Sequence, residues 1–196
     1  MGPRVTVALE QRGFYPAGGG RFVAHVEPTP RLTPIDLLER GAILRRRATA
    51  IVVNLPRPIA EREIEVLRAS LSLNADEMAV EVTGKGPGNA VRVELQSEHV
   101  TEVITGFGER DRRAENVARR VADEAYLTAD VPVSEHLADQ LLIPMALAGG
   151  GSFRTKPLSK HTRTNMAVIR HFLDVEIIAT QEDASVWRID ARRRGA

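Results

Sequence analysis

A single histidine lies in a stretch whose residue types suit phosphate chemistry. Residues 159–165 read SKHTRTN, so His161 lies between the cations Lys160 and Arg163 and among three hydroxyl groups. Cations and hydroxyls bind phosphate oxygens, and a neutral imidazole can attack an α-phosphate and hold it as a phosphoramidate. The sequence therefore makes His161 a candidate nucleophile for nucleotidyl transfer. A histidine near a helix cap without any chemistry is the alternative, and it stays open at this point.

The apolar run after this stretch predicts a helix over about residues 164–173, with Thr162 or Thr164 as its cap. A helix that begins just after His161 directs its unpaired amides and its positive dipole end at the imidazole. Such a helix start binds phosphate and favours the neutral form of a histidine.

A second stretch, residues 134–147, reads SEHLADQLLIPMAL and predicts a helix whose first serine is the cap. Helical spacing places His136, Asp139 and Gln140 together on one face, whereas another face is apolar. Pro144 removes the hydrogen bond that the Gln140 carbonyl would accept in a helix, so that carbonyl needs another partner. An ordinary exposed face and a ligand-binding face are both compatible with this pattern.

A third stretch, RGFYPAGGG at residues 12–20, is rich in glycine, which permits close approach of backbones. Its aromatic residues, Phe14 and Tyr15, either pack beneath the turn or stack on a base, and a structural connection between strands is the simpler interpretation. For the remaining histidines, His25, His99 and His171, structural roles are favoured over functional ones.

The composition excludes several classes of protein. The chain has 196 residues, of which 43% are hydrophobic and 27% charged, as in globular proteins that are soluble. It has no cysteine, which excludes disulfides, thiol catalysis and zinc–thiolate sites. No apolar run approaches the roughly 20 residues of a membrane span, so we expect no membrane partner. The lack of cysteine and of a signal-type apolar stretch favours a cytoplasmic location. The formal net charge is only +1. Local basic clusters such as Arg45 to Arg47 are either solvated surface, which is favoured, or part of a nucleic-acid footprint.

The elements that must position these stretches fall into three regions. Alternating apolar and polar residues predict two strands around the glycine-rich turn, and the proline-rich segment PTPRLTP marks the end of the first region. The second region, about residues 42–129, follows the order β-α-β-β-β-α and would close as its own small sandwich. One apolar stripe on its last helix comprises Ala114, Val117, Ala118, Val121, Ala122 and Ala125.

The third region continues as α-β-α-β-β, which suggests that it completes the first region. We therefore predict an α/β fold of two-layer sandwiches. Residues 1–36 and 131–196 form one discontinuous unit, and residues 37–130 form an inserted domain. This interpretation requires residues 4–10 and 175–190 to share one sheet.

Taken in order, the stretches RGFYPAGGG, EHLADQLLIPMALAGGG and KHTRTN resemble the RNA 3'-terminal phosphate cyclases. The first matches the family signature Arg/His-Gly-x-x-Pro-x-Gly-Gly-Gly, with Phe22 where an aliphatic residue is expected. The resemblance covers nearly the whole chain, and it implies a βαβαββ-type repeat unit interrupted by a small inserted α/β domain.

The resemblance also implies a mechanism and its residues. In this family a histidine attacks ATP and becomes adenylylated, AMP passes to the 3'-phosphate of an RNA, and the 2'-hydroxyl then attacks to leave a 2',3'-cyclic phosphate. By motif position that histidine is His161, with a divalent metal, Mg or Mn, as the second cofactor beside ATP. The ATP-contacting segment falls on His136, Leu137, Ala138, Asp139 and Gln140.

Members of the family are longer and begin with further copies of the repeat unit, whereas this chain resembles the last unit and its insertion. We therefore expect exposed apolar surface, with a homodimer, poor solubility or an amino-terminal partner chain as its consequence. Two other classes share related folds. Cyclase-like proteins of ribosome assembly lack the nucleophilic histidine, and enolpyruvyl transferases have no use for KHTRTN, so His161 argues against both.

Overall fold

The chain contains two four-stranded sheets and one two-stranded hairpin, as seen in a computed structural model that describes residues 2–82, 84–128 and 130–195. The hairpin strands β1 (Val5–Gln11) and β2 (Arg21–Val26) pair with each other in antiparallel register and, within the described residues, with no further strand. The prediction that residues 4–10 and 175–190 share a sheet is therefore wrong. Alternating residues specify the two faces of a strand but not the strand that pairs with it.

The middle of the chain forms one sheet with two helices. After the short strand β3 (Ile35–Leu37), the elements are β4 (Ile43–Val53), α1 (Pro58–Leu71), a 3-10 turn (Ala75–Glu77), β5 (Met78–Glu81), β6 (Gly88–Ser97), β7 (Thr101–Phe107) and α2 (Ala114–Leu127). The strand order is β5-β4-β6-β7, and the predicted order β-α-β-β-β-α is confirmed. All six residues of the predicted apolar stripe on α2 are buried.

The last third of the chain returns to β3. Its elements are α3 (Glu135–Ala148), β8 (Gly150–Thr155), α4 (Lys160–Phe172), β9 (Val175–Gln181) and β10 (Trp187–Arg193). Strand β3 pairs in parallel with β8, and the sheet order is β3-β8-β10-β9. Together these elements follow the order βαβαββ, with β3 rather than the hairpin as the first strand. The α/β fold class is thus confirmed. The hairpin does not share the sheet of the last third, so the sheet expected to join residues 1–36 to residues 131–196 includes only β3 from the first part, and domain boundaries at residues 36 and 130 stay a prediction.

Each four-stranded sheet has its own core. Helices α3 and α4 pack on one face of the sheet that contains β8–β10 and bury a compact cluster, which includes Leu142, Met145, Phe153, Met166, Ile169, Ile177 and Ile189. The middle sheet buries a second cluster beneath α1 and α2, which includes Leu67, Val91, Val93, Val117 and Val121. Within the part of the chain that the structure describes, no helix is both long and apolar enough to cross a membrane.

A buried ion pair lies where the chain passes between the two sheets. Arg40, just after β3, pairs with Glu102 on β7, and both side chains are buried. Burial raises the pKa of Glu102, and the charge of Arg40 opposes this rise. The ion pair therefore links the segment that follows β3 to the middle sheet.

Candidate functional site

The candidate nucleophile lies in the first turn of α4. This helix begins at Lys160, four residues earlier than predicted, and its N-cap is Ser159 rather than Thr162 or Thr164. The Ser159 hydroxyl accepts a hydrogen bond from the Thr162 amide at 3.0 Å and lies 2.9 Å from the Thr162 hydroxyl. Because Thr162 is completely buried, these two bonds fix the backbone on either side of His161.

The helix start leaves polar groups available around the imidazole. His161 and Lys160 are exposed, and the amides of residues in the first turn have no carbonyl partner inside the helix. The exposed guanidinium of Arg163 lies over the ring of Trp187, with its central carbon 5.4 Å from the ring centroid. The helix start can therefore hold an anion with its amides and Lys160, while Arg163 is engaged by an aromatic ring.

The predicted nucleotide-contacting helix α3 is tied directly to α4. The side-chain amide of Asn165 donates to the carboxylate Oδ1 of Asp139 at 3.0 Å and to the Asp139 carbonyl at 3.2 Å. Asn165 follows His161 by four residues and so lies on the same face of α4. The structure thus brings Asp139 to the side of α4 that carries His161. Sequence reasoning did not single out Asn165, although its i+4 spacing from His161 was a usable signal.

The other four predicted ATP-contacting residues have different surroundings. Ala138 is buried, and Leu137 is half-buried against the core of the β8–β10 sheet. His136 and Gln140 are exposed. Since Pro144 lies inside α3 and has no amide hydrogen, the carbonyl of Gln140 lacks its usual helix partner. His136, Asp139 and Gln140 are therefore the members of this segment whose side chains are accessible to a ligand.

His136 lines a cleft of about 900 Å³ between α2 and the last third of the chain. The cleft is also lined by the cations Arg119, Arg120 and Lys156 and by the carboxylates of Asp123, Glu124 and Glu135. Asp139, Gln140 and His161 do not line it. A single cavity shared by His136, Asp139, Gln140 and His161 consequently stays a prediction.

The glycine-rich stretch RGFYPAGGG contacts the middle sheet. Phe14 packs against Ile51, Val53 and Ala90, and any side chain at Gly88 would collide with its ring, since an added Cβ would lie 2.0 Å away. Arg12 forms an ion pair with Glu81 of β5. This stretch therefore anchors the hairpin on the middle sheet, which fits the structural interpretation of the sequence.

No metal site is evident in the part of the chain that the structure describes. Among these residues no three histidine or carboxylate side chains lie close enough together to hold an ion. The described residues therefore do not form a site for a divalent cation by themselves.

The amino-acid sequence of the chain matches one known family. The family model of the RNA 3'-terminal phosphate cyclases matches residues 1–179. The chain belongs to the RNA 3'-terminal phosphate cyclase family. Proteins named RNA 3'-terminal phosphate cyclase are similar to it over most of its length. That of Koribacter versatilis is 43% identical over 187 residues, or 93% of this chain and 53% of the relative. That of Ralstonia nicotianae is 46% identical over 193 residues, or 96% of this chain and 56% of the relative.

The match to the cyclase family has a clear limit. A third relative, the cyclase of Salmonella enteritidis, is 43% identical over 177 residues, which is 89% of this chain and 52% of that protein. The chain thus spans about half the length of the curated cyclases that it matches. All three stretches that carried the resemblance, including His161, lie inside the residues that the family model matches.

Proposed function

We propose that this chain carries the nucleotidyl-transfer part of an RNA 3'-terminal phosphate cyclase. An imidazole nitrogen of His161 attacks the α-phosphorus of ATP, a phosphorus–nitrogen bond forms, and pyrophosphate leaves. AMP then passes from His161 to the 3'-phosphate of an RNA. The vicinal 2'-hydroxyl attacks this activated phosphate, AMP leaves, and a 2',3'-cyclic phosphate remains. The names of the family and of the relatives support RNA 3'-phosphate cyclisation as the overall reaction.

The observation that supports His161 most strongly is the pairing of Asn165 with Asp139. It joins the helix whose first turn contains His161 to the helix that carries the accessible polar residues of the ATP-contacting segment. A nucleotide held along α3 would thereby have a fixed position relative to the imidazole. Fixed positioning of reactants is the main requirement of a phosphoryl or nucleotidyl transfer.

The residues around His161 have separate tasks in this proposal. Ser159 and Thr162 fix the helix start, as their hydrogen bonds indicate. The free first-turn amides and Lys160 stabilise the charge that develops on the α-phosphate. Arg163 stacks on Trp187 and holds that end of β10 against α4. We also propose a divalent metal, Mg or Mn, as a cofactor and the cytoplasm as the compartment.

The experiment measures conversion of an RNA 3'-phosphate to a phosphatase-resistant cyclic end in the presence of ATP. Because relatives are about twice as long, residues 1–196 are joined to the part of a full-length relative that they do not cover. The expected result is ATP-dependent conversion that His161→Asn abolishes. His171→Asn, at the exposed far end of α4, is the matched control and should leave conversion intact. Equal conversion by the His161→Asn protein would exclude this histidine as the nucleophile.

A further inference from the structure

The middle sheet packs its two helices against only one of its two faces. Residues such as Val91 and Val93 of β6 pack beneath the helices, so the residues between them point to the opposite side of the sheet. Cross-strand register places Arg92 of β6 opposite Thr105 of β7, and Glu94 opposite both Arg47 and Val103. This second side, here called the open face, is defined by Arg45, Arg47, Arg92, Val103, Thr105 and Phe107.

One end of the open face is already covered, whereas its residues on β7 are accessible. Phe14 of the hairpin connection packs over Ile51, Val53 and Ala90 at the covered end, and Thr49 on β4 is also buried. Phe107 lies opposite Ala90 in the register and is 62% exposed, and Val103 is 55% exposed. Arg45 and Thr105 are exposed as well, so the Phe107 side chain and its neighbours are available to a ligand.

The charges of the open face are mainly positive. Three arginines share this face with Glu94, which pairs with Arg92 at 2.8 Å and lies opposite Arg47 in the register. The acidic Glu81 at the edge strand is paired with Arg12. Two carboxylates therefore share this side of the sheet with the guanidinium groups of Arg12 and of the three open-face arginines, and the excess positive charge is complementary to a phosphate backbone.

We propose that the open face binds single-stranded RNA. A base stacks on the ring of Phe107, Thr105 hydrogen-bonds to base or sugar edges, and Arg45 and Arg47 bind successive phosphates. An apolar protein partner is less suitable because arginine and threonine alternate with the apolar groups. The inference deepens the proposed function and rests on it for the RNA substrate, since it identifies where the strand leading to the 3'-phosphate lies. Binding at this face needs neither ATP nor His161.

The test uses the chain itself and a fluorescent RNA of about 12 nucleotides, which is within the site sizes of comparable single-strand binders. Fluorescence anisotropy is measured over a series of salt concentrations. Replacing Arg45 and Arg47 together by Gln should weaken binding at least tenfold. The replacement should also lower the slope of log K against log salt by about 1.4, because each phosphate contact to a single strand contributes about 0.7. Phe107→Ala should weaken binding about tenfold through lost stacking.

Matched control variants distinguish RNA binding at the open face from non-specific charge attraction and from the proposed role of His161 in catalysis. Phe172→Ala removes another exposed ring, on α4, and Arg57→Gln removes an exposed guanidinium beside α1. Both variants and His161→Asn should bind RNA within twofold of the parent. The inference is overturned if the parent does not bind RNA. It is also overturned if the controls lose as much affinity as the open-face variants, or if a duplex of the same length binds more tightly than the single strand. If the His161→Asn protein retains its AMP adduct while the parent binds RNA at the open face, the proposed nucleophile alone is refuted.

Discussion

The side-chain amide of Asn165 on α4 donates to the carboxylate of Asp139 on α3 across 3.0 Å and also reaches the Asp139 carbonyl. These bonds connect the two helices beside the first turn that carries His161. A partly buried hydrogen bond to a charged group contributes more to stability than a neutral pair. We therefore expect this hydrogen bond to contribute measurably to the free energy of unfolding, apart from any role in catalysis.

Replacing Asn165 by Ala should lower the free energy of unfolding by about 1–2 kcal/mol, because the Asp139 carboxylate loses its donor. A double-mutant cycle with Asp139→Ala should show a coupling energy of about 1 kcal/mol in urea unfolding. Thr164→Ala, an exposed neighbour on the same helix, is the control and should change stability by less than about 0.5 kcal/mol. Additive effects of the two substitutions would show that Asn165 and Asp139 do not interact in solution.

The buried carboxyl of Glu63 should make stability depend on pH. Burial raises its pKa from 4.5 to about 7, against the opposing hydrogen bond that Asn89 donates at 2.8 Å. The raised pKa means that the protonated form is favoured in the folded state. The stabilisation by the protonated Glu63 carboxyl is complete below the unfolded pKa of 4.5. It is lost as the pH rises through the folded pKa of about 7.

Urea unfolding between about pH 5 and pH 8 should therefore show a loss of roughly 2 kcal/mol, since one pKa unit corresponds to about 1.4 kcal/mol. Glu63→Gln keeps an acceptor for Asn89 and should remove this loss. The exposed Glu61→Gln on the same helix should retain it. A parent and a Glu63→Gln variant with parallel pH profiles would contradict the assignment.

The buried pair of Arg40 and Glu102 should behave unlike a surface ion pair. Arg40→Leu leaves a buried carboxylate without its cation, which we expect to lower the free energy of unfolding by about 3 kcal/mol. The double variant with Glu102→Leu should recover most of that loss. Arg57→Leu, which breaks the exposed pair with Glu61, should cost less than about 1 kcal/mol. Equal losses for the two arginines in chemical denaturation would refute the difference.

The hairpin should cause self-association. One of its faces is apolar and open: Leu9 lies opposite Phe22, and Val7, Leu9 and Phe22 are 64%, 58% and 67% exposed. A two-stranded sheet with an uncovered apolar face is only marginally stable in water. We expect sedimentation velocity to show dimers, and Val7→Lys combined with Phe22→Lys to give monomers. Monomeric parent protein at high concentration would contradict this expectation.

Sequence periodicity was sufficient to predict most helices and strands, because the apolar stripe of a helix is determined by the residues of that helix alone. Every stripe residue from Ala114 to Ala125 is buried on α2 as predicted. On α1, the charged residue Glu63 is buried together with Ala60, Leu67 and Leu71. A carboxyl group in that position depends on Asn89 from a distant strand, and such a partner leaves no local signal.

The remaining differences also arise from tertiary contacts. Strand β3 has only three residues, which is too short for a visible alternation of apolar and polar residues. It is defined by its pairing with β8. The start of α4 was placed too late because its first turn is polar, and the pairing of Ser159 with Thr162 fixes that start. The link between Asp139 and Asn165 joins residues 26 positions apart. Residue types identified the candidate site, whereas its geometry required the fold.

Locating the AMP adduct decides whether His161 is the nucleophile. The chain joined to the uncovered part of a relative is mixed with ATP and metal, digested at neutral to basic pH, and analysed by mass spectrometry. We expect an AMP adduct on the peptide that contains His161, stable in base and lost in acid as a phosphoramidate is, and absent from the His161→Asn protein. An AMP adduct on another residue, retained in full by the His161→Asn protein, would show that His161 is not the acceptor.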